Sequence, residues 1–298
     1  MNKGRGSLRA LVIGIPFGWL LVFTLLPVLV VLAISFGEAR IGSPPFTPPL
    51  SWEQGGLLPR IDATADSYLR LFADRLYADA FVSSVRIAAV SALITLLIAY
   101  PMAYGIARAR PSARPALLML IVLPFWTSFL IRVYAWTGLL NSNGLINSTL
   151  LGFGLIDHPL PLLHTEFAVH LGIVYSYLPF MVLPIYGVLE RVDWVLLEAA
   201  ADLGTRPLRA FLRVTLPLSL PGIFAGLLLV FIPALGEFII PELLGGPETL
   251  MVGRVLWTEF FNNHDWPFAS ALAIILLAAV LLPAALIYRL ARREELTA

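Results

Sequence analysis

The 298-residue chain has no cysteine, which excludes a disulfide framework and any thiolate metal site. Charge is scarce as well. Asp, Glu, Lys and Arg make up 13% of the residues, about half the share of a soluble globular domain. No Gly-x-x-x-x-Gly-Lys-Ser/Thr phosphate loop occurs, so any nucleotide would be handled by a partner. The four histidines, His158, His164, His170 and His264, lack His-Glu-x-x-His spacing, and solvated loop positions are expected for them rather than a metal centre. No nucleophile–base motif for intramembrane proteolysis is found. The expectation is a non-catalytic chain with no metal site, no cofactor of its own and no nucleic-acid partner.

What is present is apolar: 59% of residues are hydrophobic. A bilayer crossing takes about 20 such residues, and six runs qualify, at about 11–35, 80–107, 116–140, 167–189, 218–241 and 267–290. Alternation of the barrel kind is absent, and a helix satisfies its own backbone in lipid, so an all-α membrane protein of six helices is predicted. The first run follows three basic residues like a signal peptide, but its roughly 25 residues exceed a signal core of about 7–15 and predict a retained helix.

Placing residues 1–10 inside puts Lys3, Arg5, Arg9, Arg108, Arg110, Arg114, Arg191, Arg206, Arg209, Arg213, Arg289, Arg292 and Arg293 on the inner side. Thirteen of the 20 basic residues then face the cytoplasm, against six acids (Glu190, Asp193, Glu198, Asp202, Glu294 and Glu295). This asymmetry predicts both termini inside and the 190–217 loop cytoplasmic. On the outer side, the Pro-rich stretch at 41–56 predicts extended chain without helix or sheet. A short helix is expected within 63–79, with Asp66, Asp74 and Asp79 facing water.

Residues 198–217 read EAAADLGTRPLRAFLRVTLP, a polar insert between two spans. Glu198 to Leu203 predict a short helix stopped at Gly204, which tolerates left-handed backbone. Pro207 suits the first turn of a second helix. This insert resembles the EAA loop of ATP-binding-cassette (ABC) importer permeases: Glu-Ala-Ala, three residues, Gly, nine residues, Ile-x-Leu-Pro, with Val214 in place of the Ile. The resemblance implies that Glu198, Ala199, Ala200, Asp202, Gly204, Arg206 and Pro217 couple the chain to an ATPase subunit.

A second cluster surrounds two acids, Glu237 and Glu242, at the outer end of the fifth run. Ionisable groups at membrane depth are expensive and face a bundle interior or a wet cavity; Pro233, Pro241 and Gly245-Gly246 are expected to break the helix there. Tyr134, Trp136, Tyr177 and Trp257, with Trp126, Tyr175 and Phe260, lie at comparable depths. Carboxylates and aromatic faces suit an amine cation. Two plainer readings stand beside this one: the rings form an interfacial belt, or Glu237 pairs with Arg132.

The stretches at 124–147, 175–190 and 231–267, with the 198–204 insert, are similar to the permeases of putrescine/spermidine importers, the PotB/PotH type. That resemblance implies a MetI-like permease fold in the bacterial inner membrane, with ATP and Mg held by a partner. It implies a second homologous permease, two copies of an ABC ATPase and a periplasmic polyamine-binding protein as partners, besides membrane lipid. The alternatives are a permease of the same architecture for an amino acid derivative, phosphonate or metal complex, or a stand-alone secondary transporter.

Overall fold

The computed structural model describes residues 3–51 and 60–297, with side chains described over 12–49 and 62–281. The helices are α1 (Lys3–Ile34), α2 (Asp66–Ala73), α3 (Arg75–Arg108), α4 (Arg114–Val122), α5 (Phe129–Leu140), α6 (Leu145–Gly152), α7 (Glu166–Leu189), α8 (Val195–Asp202), α9 (Pro207–Ala210), α10 (Leu216–Leu235), α11 (Ile239–Leu244), α12 (Val252–Trp257) and α13 (Trp266–Thr297). Among the described residues, Val12–Ile34, Arg75–Arg108, Glu166–Leu189 and Pro207–Leu235 are long and apolar enough to cross a membrane, while Trp266–Leu281 is a shorter apolar run. The distal part of the expected sixth span, with Arg289, Arg292, Arg293, Glu294 and Glu295, lies outside the described side chains, as do Lys3, Arg5 and Arg9.

The chain divides into two units, residues 1–78 with 255–298, and residues 79–254. In the first, α1 runs beside α13, and none of its apolar span is buried within the chain, while its length suits a bilayer crossing. The Pro-rich segment departs from expectation. It forms two antiparallel ladders of two residues each, Glu38–Ala39 with Phe46–Thr47 and Leu50–Ser51 with Arg60–Ile61. Proline lacks an N–H donor, but the paired residues flank the prolines at 44, 45, 48 and 49, so their own amides remain available. Residues 52–56 of that stretch lie outside the described residues. The expected outer helix is α2, and its end is tied down: Arg70 bonds Asp265 at 2.9 Å and lies 4.4 Å from the Phe268 ring centre. Tyr77 donates to buried Glu259 at 3.2 Å, and Asn263 donates to the other oxygen at 2.9 Å.

The second unit is built on α7, whose N-terminus Thr165 caps by accepting the Ala168 N–H at 3.2 Å. Its Val169, Ile173, Met181, Val182, Ile185 and Leu189 are fully buried. Helix α10 packs along it, and two glycines set the approach. A Cβ on Gly222 would lie 2.8 Å from the Pro184 carbonyl, and one on Gly226 would lie 2.7 Å from Met181 Sδ. Small residues substitute for a hydrophobic driving force here, because they let helices approach closely in lipid.

The third expected span is not one straight helix. Arg114–Trp126 and Phe129–Gly152 meet at 87°, because Leu123–Trp126 tightens into a 3-10 turn containing Pro124 and Thr127 is extended. The fifth ends at Leu235, between two of the expected break residues: Pro233 sits inside α10 and Pro241 inside α11, and the chain turns at Gly236-Glu237. His170 also departs from expectation. It lies on α7, accepted or donated to by Ser91 Oγ at 2.8 Å and facing Glu166 at 3.3 Å, which itself bonds Arg86 at 2.8 Å. Glu166 is its i−4 neighbour on the helix, whereas Ser91 is 79 residues away and is brought to it only by packing.

Candidate functional site

Two candidate sites lie in the second unit, at residues 190–217 and around Glu237. In the first, Asp193 Oδ1 accepts the Val195 N–H at 3.1 Å and opens α8, three residues earlier than the sequence implied. Glu198 therefore stands in its first turn, where a carboxylate suits the helix dipole. The helix stops at a Schellman motif: Thr205 N–H donates to Ala200 O at 3.0 Å and Gly204 N–H to Ala201 O at 2.8 Å, with Gly204 at φ +75°. Pro207 then starts α9, and a π turn at Phe211–Thr215 leads into α10. Glu198, Ala199, Asp202, Gly204, Arg206 and Pro217 are exposed and Ala200 is half-buried.

Apolar residues share this surface. Leu203 is 86% exposed, and Leu196 and Leu208 are also open, an arrangement typical of an interaction patch when side chains cluster. Behind α8 lies a cleft of about 410 Å³ lined by Ala107, Arg108, Arg114, Trp194, Leu197, Glu198 and Ala201. Arg108 lies 4.9 Å from the Trp194 ring centre. Glu190 is held by Tyr186 OH at 2.7 Å and Arg114 at 3.7 Å. Contacts on one side and an exposed face on the other thus characterise α8.

The second site is a half-open cavity of about 340 Å³ between α5, α7 and the α10–α11 break. Gly172 on α7 faces the side chains of Ile240 and Leu244, the former 2.8 Å from where a Cβ would stand, which seats α11 on α7. The seating brings Glu237 to Tyr177, whose hydroxyl donates to Oε2 at 2.5 Å. The other carboxylate oxygen accepts the Phe238 N–H at 3.2 Å and the Ile239 N–H at 3.0 Å, capping α11. Glu237 is 8% exposed. It therefore has a structural duty that the sequence reading did not assign.

Arg132 lines the same cavity but is not paired with Glu237, so the sequence alternative of an Arg132–Glu237 ion pair is not realised. Its guanidinium rests 4.7 Å from the Phe125 ring centre and 5.7 Å from that of Phe129. It is 9% exposed, and its Nε and Nη1 have no hydrogen-bond partner.

The other sequence candidates are elsewhere. Glu242 pairs with Arg254 at 2.6 Å. Tyr134 is 54% exposed, and Trp136 meets Tyr175 edge-on at 5.4 Å. Trp257 belongs to the first unit and packs on Phe261 at 4.0 Å. Sequence reasoning missed Phe125, Phe129 and Phe180 as lining residues. Phe129 and Arg132 are three apart on α5, a usable signal, but the preference for Trp and Tyr passed over them.

The chain belongs to the family of binding-protein-dependent transport system inner membrane components, whose model matches residues 83–295. It is 42% identical over 270 residues to the spermidine/putrescine transport system permease protein PotB of Haemophilus influenzae, covering 91% of this chain and 89% of that protein. It is 40% identical to PotB of Escherichia coli K12, covering 87% and 89%. It is also 31% identical to the molybdenum transport system permease ModB of Mycobacterium bovis, over 67% and 75%. In fold it is similar to a chain of a bacterial ABC transporter that imports the acidic polysaccharide alginate, with a TM-score of 0.70 at 17% identity over 97% and 96% of the chains. The chain is thus an inner-membrane component of a transport system.

Proposed function

We propose that this chain is the permease subunit of an ATP-driven, binding-protein-dependent importer of polyamines. In this reading both termini are cytoplasmic and six spans form one half of a pore with a second, homologous permease. A periplasmic polyamine-binding protein delivers the solute. Two ABC ATPase copies bind ATP and Mg, and Glu198, Ala199, Ala200, Asp202, Gly204, Arg206 and Pro217 carry their closure into the permease helices.

The observation that carries the coupling role is α8 itself: an exposed acidic first turn and a Schellman stop at Gly204, with Leu196, Leu203 and Leu208 left uncovered. Polyamine cargo is supported by the identity of about two in five residues with PotB across nearly the whole chain. The carboxylate and aromatic faces of the Glu237 cavity are chemically suited to an amine. Uptake of labelled putrescine and spermidine, in cells with and without this gene and lacking other polyamine importers, tests the reading. Energy-dependent uptake is expected to vanish on deletion; unaltered uptake of both would overturn polyamine cargo.

One observation favours a second reading. Arg132 places a cation in the cavity, and buried guanidinium donors suit an oxyanion. An anionic solute, handled by the same architecture, would fit it directly. Competition by oxyanions for energy-dependent uptake separates the two.

A further inference from the structure

Resting on the polyamine reading, we infer that the Arg132 guanidinium is a tethered stand-in for the solute's ammonium group, occupying its place in the Glu237 cavity when no solute is bound. The cavity is built to hold a cation. Its lining includes the rings of Phe125, Phe129, Tyr177 and Phe180, and Glu237 is its one carboxylate. The cation now on those rings is the chain's own, 4.7 Å from the Phe125 centre.

The guanidinium is not locked there. A buried arginine held for structure satisfies its donors, yet Nε and Nη1 of Arg132 are both without partners at 9% exposure. Its attraction to the Phe rings is of the kind any cation shares. Glu237 likewise keeps capacity in reserve. An ionised carboxylate offers about four acceptor positions; Oε1 serves the amides of Phe238, Ile239 and, at 3.5 Å, Ile240, while Oε2 serves Tyr177 alone. One position on Oε2 is left for an incoming N–H.

Two cations cannot share the rings and that position, because like charges a few ångströms apart in a poorly screened cavity repel strongly. Solute entry therefore drives the guanidinium off Phe125 and Phe129 along its flexible stem. Solute departure lets it return, so that an emptied cavity does not hold the amine it has just released. Binding in the cavity stays weak by construction, as passage requires.

The test uses the full transporter complex without its binding protein, in wild-type form and with Arg132→Gln, Arg132→Lys or Arg132→Ala. Equilibrium binding of labelled spermidine is expected to tighten roughly tenfold in Arg132→Gln, the effect of removing one nearby like charge, and to stay weak in Arg132→Lys. Equal or weaker binding in Arg132→Gln overturns the inference, and loss of binding accompanied by oxyanion competition in wild type favours the anionic reading instead. A second readout needs no polyamine. Millimolar guanidinium ion is expected to raise the thermal midpoint of the Arg132→Ala complex and not that of wild type, by refilling the vacated rings. No difference between the two sinks the stand-in role even where wild-type cells import polyamines. Conversely, absence of polyamine uptake with a guanidinium shift intact removes the cargo assignment and leaves a displaceable cation in the cavity.

Discussion

Gly204 offers a test of the coupling helix in which backbone conformation can be separated from crowding. It sits at φ +75°, and a Cβ built there would meet nothing within 4 Å. Any effect of substitution is therefore conformational. A non-glycine residue in left-handed geometry is less stable by roughly 1–2 kcal/mol, and 1.4 kcal/mol is a factor of ten in an equilibrium. Gly204→Ala is thus expected to shrink the population of the Schellman-terminated α8 by about tenfold relative to wild type. Gly204→Asn, which tolerates that region, falls between glycine and alanine, and the β-branched Gly204→Val is worst. Gly152→Ala is the control, since Gly152 has equally open surroundings and lacks a positive φ. The assay is amine-stimulated ATPase of the reconstituted transporter, alongside the amount of permease in the membrane. The expected order is Gly, Asn, Ala, Val, with membrane levels unchanged and the control like wild type. Equal activity of Val and Gly at 204 would refute the claim that the left-handed stop positions the coupling helix.

Other expectations follow from single contacts. Glu198→Lys places a cation in the first turn of α8, and uptake should be abolished with normal membrane levels; normal uptake would remove Glu198 from coupling. Tyr177→Phe deletes the donor to a buried carboxylate, which costs about 1–3 kcal/mol. It should lower the thermal midpoint of the complex, and adding Glu237→Gln should be less than additive, as for contacting residues; full additivity would argue against their bond. Gly222→Val drives side-chain atoms into the Pro184 carbonyl, 2.8 Å from the Cβ position. An overpacking loss of roughly 1–3 kcal/mol is expected, read as reduced thermal stability, and an unchanged midpoint would contradict the close α7–α10 packing.

The sequence by itself determined the elements whose causes are local. Apolar runs long enough to span a bilayer, Gly204 after a helix-forming stretch, and Pro207 ahead of another helix all act over a few residues, and the local helices follow. The same holds for the absence of a phosphate loop. The 87° bend was only half legible: Pro124 was visible, but the angle depends on Thr127 leaving the helix. Only the tertiary structure decided which acid meets which partner. Glu237 and Glu242 are five residues apart and chemically alike, yet one is sealed against Tyr177 and the α11 amides while the other pairs with Arg254. That difference comes from α11 seating on Gly172 of α7, a contact across about 70 residues that no local pattern encodes. The same seating, with the bend before α5, puts Arg132 in the Glu237 cavity unpaired, because proximity in space is settled by helix packing and not by complementary charge along the chain.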